Sequence, residues 1–150
     1  MKNFSLFTKL AFILLVLGSV SVVLAQQDNY RQQARQILKA TNTKGGLIVH
    51  IGCGDGKLTA ALFVDESFLV HGLEKEVNKL QQARQYVQSM GNYGRVSFSL
   101  FDGKRLPYID NLVNLAVVEE GGDLSMDEIM RVLAPGGKAY INRDFPYIFS

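Results

Sequence analysis

Three glycines at alternate positions, Gly52, Gly54 and Gly56, interrupt the stretch "VHIGCGDGKLTAAL" that spans residues 49–62. Glycine accepts positive φ and has no side chain to keep a ligand at a distance, so such a loop lets a ligand meet the backbone itself. The helix that follows adds its own unpaired N–H groups. Alone, the triplet serves equally well as a plain strand-to-helix turn. A carboxylate narrows the choice: Glu74 comes 18 positions after Gly56, near the roughly 20-residue offset at which an acid meets ribose hydroxyls. Glu76 stands next to the following helix, where a carboxylate suits the helix dipole as a cap. That leaves Glu74 for the ligand, its carboxylate expected to accept hydrogen bonds from both ribose hydroxyls. The chemistry is that of holding a nucleoside.

The flanking elements must bring loop and acid together. "LIVHI" (47–51) and "SFLVHGLE" (67–74) are short apolar runs that read as buried strands. Helices are expected over Lys57 to Val64 and over Val77 to Met90, the second with Val77, Leu80, Ala83, Val87 and Met90 on one face. "RVSFSL", "NLVNLAVV" and "KAYI" follow as a third, fourth and fifth strand. Before the last of these, Ser125 and Glu128 form a capping box for "SMDEIMRVL". At the front, Tyr30, Ala34, Ile37 and Leu38 make the stripe of an amphipathic helix with Asp28 or Asn29 as its cap. Strands alternating with helices give an α/β domain with a mostly parallel sheet. In such a sheet ligands sit outside the carboxyl ends of the strands, where the glycine loop and Glu74 both fall.

The dinucleotide fingerprint spaces its glycines G-x-G-x-x-G. Here the spacing is G-x-G-x-G, with Lys57 where the third glycine belongs, which disfavours a nicotinamide-dependent oxidoreductase. From Leu47 to Asn142 the sequence instead resembles class I methyltransferases that use S-adenosylmethionine. "LIVHIGCGDGKLTAAL" is similar to their first motif and "LVHGLEKE" to their second; "VSFSLFDGKRLPYIDN" and "IMRVLAPGGKAYI" follow in the family's order. The resemblance implies a three-layer αβα Rossmann-like sandwich with strand order 3-2-1-4-5. It also implies S-adenosylmethionine as cofactor and methyl transfer to a small-molecule acceptor. By the same resemblance Glu74 is the ribose acid, Asp102 holds the adenine amino group, and Phe101 or Gly103 borders the ring. His50, Gly52, Cys53, Gly54, Gly56 and Glu119 complete the implied cofactor-binding set.

The family usually has an acid two residues before the first glycine, and this chain has His50. That histidine either contacts the cofactor through one hydrogen bond or is a strand-end residue bonded to backbone. His71, inside the second strand, is expected to be structural. Glu119 and Glu120, at the far end of the fourth strand, either act as a base or face solvent. Cys53 needs no role beyond that of a small residue beside the ligand. No catalytic side chain is assigned, because transfer from a sulfonium asks mainly for alignment. Family members continue for two more strands and a helix, so the fifth strand, with "AYI", is expected to be a sheet edge. A partner domain or chain would cover that edge, and a domain so shortened is expected to bind the cofactor more readily than to use it.

Among these methyltransferases the sequence is most similar to the methyltransferase-like domains at the front of exported bacterial proteins that continue into a pyrroloquinoline-quinone-type β-propeller. Residues 1–25 carry Lys2 and Lys9, the apolar "LAFILLVLG" and a final "VLA", the order of a cleaved export signal. Residues 26–45 are then a helix and linker, and 46–150 the methyltransferase-like domain. Of 16 Lys+Arg against 14 Asp+Glu, two lie in the leader, so the mature chain is formally neutral and lacks the basic surface of a nucleic-acid binder. No membrane contact is expected after cleavage. The lone Cys53 excludes an internal disulfide, and His50 and His71 lack metal-site spacing. Export also favours an alternative, a degenerate binding domain, since the cofactor is made in the cytosol.

Overall fold

The computed structural model describes residues 26–120, 123–142 and 147–149; the leader expected over residues 1–25 lies outside them. Helix α1 occupies 26–41. It is followed by β1 (Gly46–Ile51), α2 (Lys57–Leu62), β2 (Phe68–Glu74), α3 (Val77–Ser89), β3 (Val96–Leu100), β4 (Val113–Val118), α4 (Met126–Val132), β5 (Leu133–Ile141) and β6 (Tyr147–Phe149). The sheet order is β3-β2-β1-β4-β5-β6. The first five strands run parallel in the expected order, and β6 lies antiparallel on β5.

Successive side chains of a strand point to opposite faces, and β1 shows the result. Ile48 joins a buried cluster with Ala34, Ile37, Leu62, Leu80 and Ala83, the residues by which α1, α2 and α3 pack on one face. Val49 and Ile51 join the opposite cluster, with Ile129 and Val132 of α4. The layers are therefore helix, sheet, helix. Helix α1 contributes Ala34, Ile37 and Leu38 to the same core as the sheet.

Several local expectations need correction. The helix is already formed at residue 26, so Asp28 does not cap it but pairs with Arg31 at 3.7 Å. On α3 only Leu80, Ala83 and Val87 are buried, while Val77 and Met90 at the ends remain exposed. Half of the capping box forms: Ser125 Oγ accepts the Glu128 N–H at 3.2 Å, but the Glu128 carboxylate turns to Arg131 and the Leu106 N–H instead. The fifth strand takes in "PGG" through a register break between Val113 and Leu115 of β4. Over Ala139–Ile141 its outer edge is not bare but paired with β6.

Candidate functional site at the carboxyl ends of the strands

The glycine loop leaves β1 with its first two N–H groups still in the sheet: Gly52 and Cys53 both donate to the Leu73 carbonyl, at 2.9 and 3.2 Å. All three glycines have positive φ, at 74°, 54° and 78°. Their surroundings separate them. A Cβ at Gly52 would meet the Glu120 backbone at 2.6 Å, and one at Gly56 would meet Ala83 at 2.7 Å and Phe98 at 2.9 Å. A Cβ at Gly54 would meet nothing within 4 Å. Gly52 and Gly56 are therefore packing positions, whereas Gly54 presents bare backbone to open space.

Glu74 ends β2 directly beside the loop and is 4% exposed. Its Oε2 accepts the Gly54 N–H at 2.7 Å, and its Oε1 accepts the N–H groups of Lys75 and Glu76 at 2.8 and 3.1 Å. A carboxylate has about four acceptor sites, so one remains, on Oε2. Two ribose hydroxyl bonds were expected, but three backbone N–H groups already take acceptor sites of this acid, which also fastens the loop to the start of α3. Glu76 does hold the N-cap position of α3, but its side chain makes no cap bond and pairs with Lys79 at 2.7 Å.

His50 is fully buried and bonds side chains, not backbone as one expectation had it. Its Nδ1 lies 2.8 Å from Thr59 Oγ1, and its Nε2 lies 3.4 Å from Glu119 Oε2. At that distance Nε2 is in ion-pair range yet lacks hydrogen-bond geometry; among the described residues it is the buried side-chain polar atom without a hydrogen bond. Glu119 sits just past β4, its N–H on the Ile51 carbonyl at 3.0 Å. The His50 imidazole, foremost, holds the Glu119 carboxyl below its ordinary value against partial burial, and Asn142 and Gln33 assist. Cys53 lies in the loop between the two acids. Burial, then the Glu74 charge, push its thiol up to about 12.

The third segment is divided. Phe101 donates its N–H to the Glu74 carbonyl at 2.9 Å, but its side chain is 6% exposed and belongs to the core under the sheet. Asp102 is exposed, its Oδ1 accepting the Lys104 N–H at 2.9 Å, and that bond first lowers its carboxyl. Gly103 has φ 83°, and a Cβ there would meet the Lys75 side chain at 2.4 Å. His71 is structural, as expected: Ser99 Oγ at 2.9 Å and Tyr108 OH at 2.7 Å bracket its ring, and burial lowers its pKa. A cavity of about 290 Å³ lies elsewhere, against the outer helices, lined by Tyr30, Arg35, Lys57 and Tyr86 among others. The strand ends, where backbone and carboxylates converge, are the better candidate.

The sequence pattern of the family described as "Methyltransferase domain" matches residues 48–137, from the first buried residue of β1 through the turn within β5. The chain belongs to the methyltransferase-domain family. The curated methyltransferase GfsG of Streptomyces halstedii is 36% identical over 103 residues, which are 65% of this chain and 37% of that protein. Among solved structures, a Methanococcus maripaludis protein assigned as an S-adenosyl-L-methionine-dependent methyltransferase superposes with TM-score 0.69 at 26% identity, over 75% of this chain and 54% of that one. The [4+2]-cyclase SpnF gives TM-score 0.65 at 26% identity, over 74% and 43%. This methyltransferase domain thus spans between about a third and about half of the length of these relatives. Its fold is the class I, Rossmann-like one, and S-adenosylmethionine is the cofactor that goes with the family.

Residues that the sequence did not single out also meet at the site of this methyltransferase domain. Thr59 holds His50, and Gln33 and Asn142 reach Glu119. Each comes from a different element, and neither spacing nor residue type marks it in advance.

Proposed function

We propose that this chain binds S-adenosylmethionine at the carboxyl ends of β1, β2 and β4 and transfers its methyl group to a small-molecule acceptor. One observation carries the reading: Gly54 presents open backbone in a loop fastened to the buried Glu74, at the same strand ends where the partly buried Glu119 follows β4. The residues fit the ligand. A nucleoside can approach Gly54 without meeting a side chain, one acceptor site of Glu74 remains for a ribose hydroxyl, and Asp102 is exposed in the segment that would face the base.

The sulfonium of the bound cofactor supplies an already activated methyl carbon. What remains for the chain is to bind, orient and exclude water. Gly52 to Gly56 give backbone contact, Glu74 fixes the sugar, and Glu119 faces the other end of the ligand. A titration calorimetry series with S-adenosylmethionine, S-adenosylhomocysteine and NAD, run beside a radiolabelled-methyl assay on the same sample, tests the reading. Binding of the adenosyl ligands without NAD is expected; a folded chain that binds none of them, or NAD alone, overturns it.

The finer assignment is part of the same proposal. The order of "GKRLPYIDNLVNLAVVEE" and "MRVLAPGGKAYI" supports a place among methyltransferase-like domains of exported propeller proteins. The charged, then apolar, leader supports export with cleavage after Ala25. N-terminal sequencing of the processed protein should begin at Gln26; a mature chain that keeps Leu10 to Gly18 defeats the assignment.

A further inference from the structure

The cavity of about 290 Å³ on the outer helices takes no part in the chemistry described so far: Gly54, Glu74 and Glu119 do not line it. Small side chains leave its space. Helix α2 offers Ala60 and Ala61 there, where longer residues would fill the gap. Helix α1 lines it with Tyr30, Arg31 and Arg35, and α3 with its C-cap lines it with Tyr86 and Met90. Its volume falls at the small end of ligand sites, about 300 Å³ and upward.

The lining carries one sign of charge. Arg31, Arg35 and Lys57 all contribute to it, and no aspartate or glutamate does. Lys57 is held by Asp55 at 2.7 Å and stands 5.9 Å from the centre of the Tyr30 ring, a cation over an aromatic face. Arg31 meets Asp28 only at 3.7 Å. Arg35 makes no ion pair among the described residues, so its planar fork of donors is open to an oxyanion.

Beside these cations the lining is apolar. Val64 and Met90 belong to it and remain exposed to water. A plain hydrocarbon would cover this surface but strip water from the cations, which is costly without a counter-charge. A sugar phosphate would meet the cations and leave the apolar surface bare. A molecule with both an anionic group and an apolar body satisfies the two halves together.

We propose that this cavity is a second ligand site, for a small amphiphilic anion. An oxyanion such as a carboxylate or sulfonate meets Arg35, and a flat apolar body lies against Ala61, Tyr86 and Met90. The site shares no residue with the strand ends, so it stands or falls apart from the proposed function.

The test is a titration of the full chain followed by amide NMR spectra, with naphthalenesulfonate as the anion and naphthalenesulfonamide as its neutral counterpart. The sulfonate should bind with a Kd of about 0.1–1 mM, as suits a ligand of this size. It should shift the amides of Ala61, Tyr86 and Met90 while those of Gly54 and Glu74 stay still. The sulfonamide should bind at least about fivefold more weakly. Arg35→Gln should weaken the sulfonate about threefold to fivefold, and Ala61→Leu, which fills the space, about tenfold. If Ala61→Leu does not fold, Arg35→Gln and the neutral counterpart decide. Equal affinity for the two naphthalenes, an Arg35→Gln chain that binds like wild type, no saturation below about 10 mM, or shifts centred on the strand ends overturns the second site. A chain that binds the sulfonate and no adenosyl ligand overturns the proposed function alone.

Discussion

Glu74 Oε2 accepts the Gly54 N–H at 2.7 Å, joining the end of β2 to the middle of the glycine loop across 20 residues of sequence. The acid proposed to meet the nucleoside thereby also shapes the loop. Glu74→Gln keeps the side-chain volume but turns an –NH₂ toward backbone donors on one side. We expect a stability loss of about 1–3 kcal/mol, as for a buried donor left without its acceptor, together with weaker nucleoside binding. Glu76→Ala removes only a solvent-screened i,i+3 pair with Lys79 and should leave stability nearly unchanged. Urea unfolding and calorimetry on both variants check this, and a Glu74→Gln chain as stable as the wild type counts against the fastening role.

The glycines make a graded series. Gly52→Ala and Gly56→Ala would drive a Cβ into the Glu120 backbone and into Ala83 and Phe98, on top of an unfavourable positive φ. Gly54→Ala meets no atom and carries only the left-handed backbone term, about 1–2 kcal/mol. Gly54→Ala should therefore fold and lose ligand affinity, whereas the other two should lose stability first. Melting temperatures and binding constants for the three variants separate the cases; identical melting losses at all three sites would refute the packing argument.

Much of the fold was visible in the sequence because buried parallel strands leave short apolar runs and the helices between them leave stripes. "LIVHI", "LVHGLE" and "NLVNLAVV" each overlap a strand closely. The loop and Glu74 were visible for the same reason, being adjacent to strand ends. Three-residue β6 carries too little pattern to be seen, and its pairing with Ala139–Ile141 is a long-range choice. The His50–Glu119 contact joins residues 69 positions apart, and periodicity says nothing of such a pair. Phe101 was expected at a ligand and lies in the core because alternation beyond β3 turns its ring under the sheet. The position of Glu74 in the sequence does not reveal that three neighbouring N–H groups already claim it.

Cys53 sits inside the loop yet should be inert. Burial and the charges of Glu74 and Glu119 hold its thiol at about 12, so at pH 8 almost none of it is the reactive thiolate. Iodoacetamide at pH 8 should leave the native chain unlabelled while labelling it fully in urea. Rapid labelling of the folded chain would show the loop to be open in a way the packing does not allow.

Glu128 gives an acid-sensitive lock on the segment ahead of β4. Arg131 pairs with Glu128 at 2.7 Å and with Asp110 at 2.6 Å, and donates to the Tyr108 and Leu106 carbonyls at 2.9 and 3.3 Å. The Arg131 guanidinium, first of several causes, lowers the Glu128 carboxyl from 4.5 to about 2. A carboxyl whose pKa is lower in the folded state adds stability above its unfolded value and loses it as pH falls through the folded one. The contribution should be whole above about pH 4.5 and vanish toward about pH 2. Arg131 is itself raised by these partners and stays charged throughout, so it adds no slope in that window. The stability gap between wild type and Glu128→Gln, measured by urea unfolding, should be level from pH 7 to about 5 and close progressively below it. A gap that stays constant down to about pH 2.5 would mean that the lock is held by the shape of the side chain and not by its charge.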